Sequence, residues 1–168
     1  MVKKKYILVD GYNVIHKIPE LEEKLDVSLE QARDGLVAMC NQWIALRKDY
    51  EGIMVVFDGK SHIGRTDFAS FGNVKMIYTE TGETADDRIV HICRENMKTH
   101  EFLVITDDRA VQSGSRINNA SVISVSRFLG VQRAKKAKAA NQNIDDRKLS
   151  PDQMRRINAT LAKEWGIE

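Results

Sequence analysis

The segment YILVDGYN, residues 6–13, decides the fold of this chain. A short apolar run at residues 6–9 ends in an acid, Asp10, and Gly11 permits a sharp exit from a strand. Similar runs rich in β-branched residues recur at residues 53–57, 74–78 and 102–105, with a weaker fifth at 122–125. Near-continuous apolarity indicates strands that are covered on both faces, as in a parallel sheet.

Helical patterns separate these runs. The first helix is predicted over residues 29–48 and begins at Ser28, which forms a capping box with Gln31. A second is predicted over residues 85–98. Because strands alternate with helices, we predict an α/β fold in three layers, with a central, mainly parallel sheet of about five strands flanked by helices.

Bulk composition limits the class of protein. A chain of 168 residues with 42% hydrophobic content can bury one core of ordinary size. Its apolar runs are far shorter than the roughly 20 residues that span a bilayer, and residues 1–5 lead into a strand rather than a signal peptide. We therefore expect a cytoplasmic protein without a membrane partner.

Charge is distributed unevenly along the chain. Residues 1–108 carry 14 basic and 19 acidic side chains, whereas residues 109–168 carry 12 and 5. A basic tail beside an acidic body suggests a polyanionic partner, although a solvated helical face that binds nothing is the alternative. We predict one domain over residues 1–126 and a basic C-terminal helical extension over residues 127–168 that packs on it, with a last helix beginning at Ser150.

Acids follow three of the apolar runs at the point where each run ends. Asp10 follows the first, Asp58 the second, and Asp107 and Asp108 the fourth. In open α/β sheets, ligands bind outside the carboxyl ends of the strands, near the point where strand order reverses. We expect these acids to converge there, although each alone could be an ordinary turn residue.

The segment ETGETADDRI, residues 80–89, places two more acids at the start of the second helix. Thr84 and Asp87 form a capping box, which explains Asp87 structurally. Asp86 instead shares the inward stripe of the helix with Ile89 and Cys93. An acid that leads an apolar face needs a cation or a proton, so Asp86 is a candidate functional residue.

Carboxylates crowded together repel one another unless a cation lies among them. Oxygen ligands without a His or Cys companion favour Mg²⁺ or Mn²⁺ over Zn²⁺. Magnesium pairs readily with phosphate oxygens and activates a bound water, so phosphodiester hydrolysis is the simplest chemistry for such a site. Asn13, in the turn after the first strand, could bind substrate phosphate or fix Asp10.

The DGYN motif at residues 10–13, the ETAD motif at 83–86 and the T-x-D pattern at 106–108 together resemble the YacP-type NYN-domain proteins, a branch of the PIN-like nucleases. The resemblance extends over essentially the whole chain. It implies a PIN-like fold and an endoribonuclease that cleaves single-stranded RNA, with messenger RNA as the substrate and the ribosome as a partner in one branch.

The resemblance also implies a set of site residues. Asp10, Asp86 and Asp108 would bind metal and act in catalysis together with Asn13, with Asp58, Glu83 and Asp107 as further metal ligands. Arg33 matches a family arginine, although a helix-face salt bridge explains it equally well. The predicted RNA-binding residues are Arg33, Lys60, Arg65, Arg109, Arg133, Lys135, Lys136 and Lys138.

The segment over residues 59–73 matches the family pattern poorly. Its basic and aromatic residues, including His62, Phe68 and Phe71, would suit RNA contact and base stacking. A surface loop that tucks its phenylalanines under itself explains them as well.

Three alternatives to a nuclease of this type are open. A noncatalytic RNA- or ribosome-binding module would keep the fold and use the acids only to shape turns. A PIN-type toxin is a second alternative. A phosphatase with an aspartyl-phosphate intermediate is the third, but that chemistry needs a second acid two residues after the nucleophile, where this chain has Tyr12.

Overall fold

The computed structural model describes residues 2–59 and 68–130, together with positions 133, 137, 138 and 140. Within these residues the helices and strands follow in the order β1 (Lys4–Asp10), α1 (Gly11–Lys17), α2 (Pro19–Leu25), α3 (Leu29–Ala45), β2 (Gly52–Phe57), β3 (Phe68–Phe71), β4 (Val74–Tyr78), α4 (Ala85–Asn96), β5 (His100–Ile105), α5 (Arg109–Ile117) and β6 (Ser121–Ile123). Residues 125–130 are also helical.

The described strands form one sheet in the order β3-β4-β2-β1-β5-β6. Every neighbouring pair is parallel except β3 and β4, which are antiparallel. The chain adds β2 and β4 on one side of β1 and then returns to place β5 on the other side. Strand order therefore reverses at β1 and β5, and the crevice outside their carboxyl ends is the expected ligand site of such a sheet.

Helices cover both faces of the sheet, as predicted for three layers. Along β1, Ile7 and Val9 point to a core shared with α1, α2, α3 and the helix at residues 125–130. Leu8 points to the opposite face and packs with side chains of α4 and α5. Because successive strand residues face opposite sides, a continuous apolar run fills both cores. The predicted mainly parallel α/β fold is confirmed.

Some details of the structure differ from the prediction. The sheet has six described strands instead of about five, because residues 68–71, predicted as part of a loop, form β3. A two-residue turn, Gly72 and Asn73, joins β3 to β4, and Gly72 has a positive φ of 62° that suits a hairpin turn. The helices α3 and α4 each end before the predicted boundary, at Ala45 and Asn96.

The C-terminal part of the chain is described only in places. Residues 125–130 are helical and contribute Val125 and Phe128 to the core, in agreement with the helical pattern predicted from about residue 127. Residues 133–168 form a separate unit, of which the described positions are helical. The predicted last helix from Ser150 lies outside the described residues, and the predicted domain boundary at residue 126 stays a prediction. Among the described residues, no helix is long and apolar enough to cross a membrane.

Candidate active site at the carboxyl end of the sheet

Asp10 lies at the point where strand order reverses. It is the last residue of β1 and is only 6% exposed. The backbone N–H of Asn13, in the first turn of α1, interacts with this carboxylate and lowers its pKa. The hydroxyl of Thr106, just beyond β5, donates to Asp10 Oδ2 at 3.2 Å. The site thus begins with a buried carboxylate that a neighbouring strand orients.

Burial sets the electrostatics of Asp10. Burial and, to a lesser extent, the negative charge of Asp86 raise the pKa of this carboxyl from 3.8 to about 6, against the lowering effect of the Thr106 hydroxyl. Among the described residues, no Lys or Arg forms an ion pair with Asp10. At neutral pH the group therefore carries a negative charge that nothing described in the protein neutralises.

Asp86 lies in the first turn of α4 and is partly buried. Desolvation, followed by the charges of Asp108 and Asp58, raises the pKa of Asp86. The adjacent Asp87 stabilises this helix start, because its backbone N–H donates to Thr84 Oγ1 at 3.1 Å and its carboxylate accepts from the same hydroxyl at 2.9 Å. These contacts agree with the prediction that Asp87 belongs to the capping box and that Asp86 does not.

Two other predicted metal ligands are engaged in structural contacts. Asp58 Oδ1 accepts a hydrogen bond from the backbone N–H of Ala85 at 2.5 Å, so the end of β2 holds the start of α4 in place. Glu83 forms an ion pair with Arg88 Nη2 at 2.8 Å. These contacts explain how Asp86 is positioned, and they leave Asp58 and Glu83 less available to a metal than Asp10 and Asp86.

The two acids of the T-x-D segment, Asp107 and Asp108, each accept hydrogen bonds from the start of a different helix. Asp107 Oδ1 accepts from the N–H of Val125 at 3.0 Å, and the N–H of Asp107 donates to Asn13 Oδ1 at 2.9 Å. Asp108 Oδ1 caps α5 by accepting from Ala110 and Val111 at 2.8 and 3.0 Å. Asp107 and Asn13 therefore join the end of β5, α1 and the helix at residues 125–130. Asp108 caps α5, and its charge contributes to the raised pKa of Asp86.

The donor chemistry of the cluster fits a hard divalent cation, because Asp10 and Asp86 offer only oxygens and both have raised pKa values that a cation would relieve. Within residues 2–59 and 68–130, however, no three acid, His or Cys side chains lie close enough together to form a complete metal site as placed. Asp10 and Asp86 are thus the core of the candidate site, and further ligands would come from Asp108, from Asp58, or from water and substrate.

Arg33 lies among aromatic rings. It is 7% exposed, and its Nε donates to the hydroxyl of Tyr12 at 3.0 Å, with a second hydrogen bond from Nη2. Its guanidinium carbon lies 5.2–5.6 Å from the ring centres of Tyr12, Phe57 and Tyr78. Cation–π contacts and hydrogen bonds thus hold this charge beneath the carboxyl ends of β1, β2 and β4. This burial favours a structural role over direct contact with RNA.

We expect Arg33→Lys to lower the free energy of unfolding by about 1–2 kcal/mol, because an ammonium loses the planar stacking and the forked hydrogen bonds of a guanidinium. Denaturant unfolding measures this loss, and RNA binding by the same variant should be almost unchanged. A variant with wild-type stability and weakened RNA binding would instead show that Arg33 contacts RNA.

Residues that position the site acids without binding the metal themselves were not identified from the sequence. Thr106 is fully buried and orients Asp10, and the signal for it was the hydroxyl residue that opens the T-x-D pattern at a strand end. Gly11 serves close packing, because a Cβ there would lie 2.4 Å from the Phe57 ring. Among the predicted RNA-binding residues, Arg109, Arg133 and Lys138 are exposed, and Lys60, Arg65, Lys135 and Lys136 lie outside the described residues.

A three-layer α/β fold with acids at the carboxyl ends of its parallel strands is typical of the PIN-like class. A profile of the YacP-like NYN domain matches residues 7–166. The chain therefore belongs to the YacP-like NYN family, within the PIN-like nuclease superfamily, whose members generally use divalent metals.

Individual relatives agree with this placement. The chain is 34% identical over 105 residues to the protein YacP of Bacillus subtilis (strain 168), an alignment that spans 60% of this chain and 59% of that relative. A crystal structure of a mutant of Rae1 (YacP) from Bacillus subtilis has a TM-score of 0.64 and 28% identity, and the match covers 87% of this chain and 86% of the other. A second Rae1 (YacP) structure, with a TM-score of 0.61, 22% identity and coverage of 99% and 93%, shows the same fold.

Proposed function

We propose that this protein is a divalent-metal-dependent endoribonuclease that cleaves single-stranded RNA in the cytoplasm. The observation that carries the proposal is the burial of Asp10 beside Asp86 with no described cation to neutralise either charge. A buried acid without a neutralising partner lowers the stability of the folded protein, and such groups are concentrated at functional sites. Family membership supplies the nuclease chemistry that this electrostatic arrangement suits.

Asp10 and Asp86 would hold Mg²⁺ or Mn²⁺, with Asp108 and Asp58 as additional acids whose charges act on this pair. When bound, such an ion lowers the pKa of a water molecule and stabilises charge on the phosphodiester. Thr106 fixes one oxygen of Asp10, and Asp58 holds the helix that carries Asp86. The chain's own residues thus position the two principal ligands, and the hydrogen bond from the Asp107 N–H to Asn13 joins the segment after β5 to α1.

The resemblance extends the proposal to messenger RNA as the substrate and to the ribosome as the place of action. The noncatalytic RNA- or ribosome-binding module is the competing function. It predicts that RNA binds and stays intact under every metal condition. The distinction therefore rests on cleavage rather than on binding.

Circular single-stranded RNA tests the proposal directly, because it has no ends for an exonuclease. We expect the wild-type protein to convert the labelled circle to linear products with Mg²⁺ or Mn²⁺ and to leave it intact with EDTA. Cleavage that persists in EDTA would exclude metal dependence. A circle that stays intact with every ion while linear RNA is degraded would exclude endonucleolytic cleavage.

We also propose that the basic extension contacts RNA phosphates. Its predicted contacts are Arg133, Lys135, Lys136 and Lys138, of which Arg133 and Lys138 are exposed. Replacing all four with Gln should weaken RNA binding and reduce the slope of log affinity against log salt by about 0.7 for each lost phosphate contact. Binding titrations between about 50 and 200 mM salt measure that slope, and an unchanged slope would show that the extension does not touch the RNA backbone.

A further inference from the structure

A groove of about 340 Å³ runs between α4 and α5, and Asp86 lines it. Its other lining residues are Glu83, Asp87, Val90, His91, Arg94, Ala110 and Val111. The groove therefore begins at the candidate active site, and an RNA strand that passes Asp86 could continue into it.

Charge changes sign along this groove. Acids line it near the start of α4, and His91 and Arg94 line it farther along the same helix. Arg94 follows Asp86 by eight positions in sequence, which corresponds to about 12 Å along a helix axis at 1.5 Å per residue. One end of the groove thus suits a cation and the other suits an anion.

The basic end has the geometry to receive a phosphate. His91 and Arg94 lie three positions apart on one helix face and are both exposed. Arg94 Nη2 donates to His91 Nδ1 at 3.1 Å, so this ring nitrogen is the acceptor and Nε2 carries the proton. Arg94 Nε also forms an ion pair with Glu95 at 3.6 Å, but both side chains are exposed and the pair is weak in water. Both residues can therefore turn N–H donors toward a ligand.

The acids at the other end are compensated only in part. Glu83 is paired with Arg88 at 2.8 Å. The Asp87 carboxylate accepts from the neutral Thr84 hydroxyl at 2.9 Å and keeps its negative charge, so the phosphate site is assigned to the Arg94 end alone. Val90, Ala110 and Val111 supply a narrow apolar section between the two ends. At Gly114 of α5 an added Cβ would lie 2.7 Å from Val90, so the two helices approach closely there.

We propose that the groove between α4 and α5 binds the RNA strand on one side of the cleaved bond, with Arg94 and His91 on a flanking phosphate. This inference rests on the proposed ribonuclease function and adds a substrate-binding residue, Arg94, to it. Arg94 binds phosphate away from the reacting atoms, so its loss weakens substrate binding and leaves the chemical step intact.

The test compares Arg94→Gln with Arg116→Gln, a matched control on α5 that removes an exposed arginine outside the groove lining. Binding of labelled single-stranded RNA is measured by anisotropy in EDTA, and cleavage kinetics are measured in Mg²⁺. We expect Arg94→Gln to weaken binding and raise KM by about tenfold, with kcat unchanged and the salt slope reduced by about 0.7. Arg116→Gln should behave as the wild type does.

Equal losses of RNA affinity in both variants, or wild-type affinity and KM in Arg94→Gln, would overturn the groove assignment. The proposed function would still stand as long as the wild-type protein cleaves RNA. Wild-type protein that binds RNA and never cleaves it would overturn the nuclease function, and the binding difference between the variants would still decide the groove. Wild-type protein that binds no RNA would overturn both.

Discussion

Asp86→Asn should reduce RNA cleavage by on the order of a hundredfold or more, because the substitution removes one of the two principal metal-binding charges while keeping the shape of the side chain. The folded protein should survive the change. Repulsion from Asp108 and Asp58 contributes to the raised pKa of Asp86, so a neutral side chain relieves that repulsion in the metal-free protein. Lost activity would then report on the site and not on unfolding.

The neighbouring Asp87 provides the matched control. Asp87→Asn makes the same chemical change one residue away, where the acid serves the helix start by bonding to Thr84. Cleavage of labelled RNA over time in Mg²⁺ should give near wild-type rates for this variant. Equal rates for Asp86→Asn and wild type would remove the enzymatic function and favour the noncatalytic module.

Asp10→Asn should make the metal-free protein more stable at pH 8, by up to about 3 kcal/mol at 1.36 kcal/mol per pKa unit. Burial raises the pKa of Asp10 to about 6 in the folded protein, from 3.8. The folded protein therefore holds this proton more tightly than the unfolded chain, and its stability falls as the pH rises from about 4 through about 6. Asn removes that pH-dependent loss, so the two proteins should have similar stabilities below pH 4.

Thermal unfolding at several pH values measures this effect. At about 2–4 °C per kcal/mol for a chain of this size, the midpoint difference in EDTA at pH 8 should reach roughly 6–12 °C. Addition of Mn²⁺ should raise the wild-type midpoint and change the Asp10→Asn midpoint much less, because a ligand stabilises only the folded state that binds it. A wild-type protein that is the more stable of the two in EDTA would contradict the buried, uncompensated charge.

The placement of Asp10 and Asp108 at the same edge of the sheet could be predicted because it follows from strand order. Asp10 and Asp108 are almost a hundred residues apart in sequence, but β1 and β5 are parallel neighbours and their carboxyl ends meet. Only the alternation of strands and helices was needed to expect this. The Thr84 cap and the partial burial of Asp86 followed from local helix geometry, which sequence spacing determines.

The side-chain roles within the cluster could not be predicted in the same way. Asp58 reaches a backbone N–H of Ala85, and Asp107 reaches one of Val125, and both contacts depend on how separate segments approach in space. The burial of Arg33 among three rings depends on the packing of α3 against β2 and β4. The strand β3, in contrast, could have been predicted from the sequence, because the Gly72-Asn73 dipeptide before β4 is typical of a β-hairpin turn.

The central claim is that Asp10 and Asp86 share one hard dication, and anomalous diffraction from crystals grown with Mn²⁺ tests it most directly. We expect a manganese peak with carboxylate oxygens of both residues at roughly 2.0–2.6 Å, the range of oxygen ligands to hard divalent cations. A peak that contacts neither carboxylate, or full occupancy in crystals of Asp86→Asn, would contradict it.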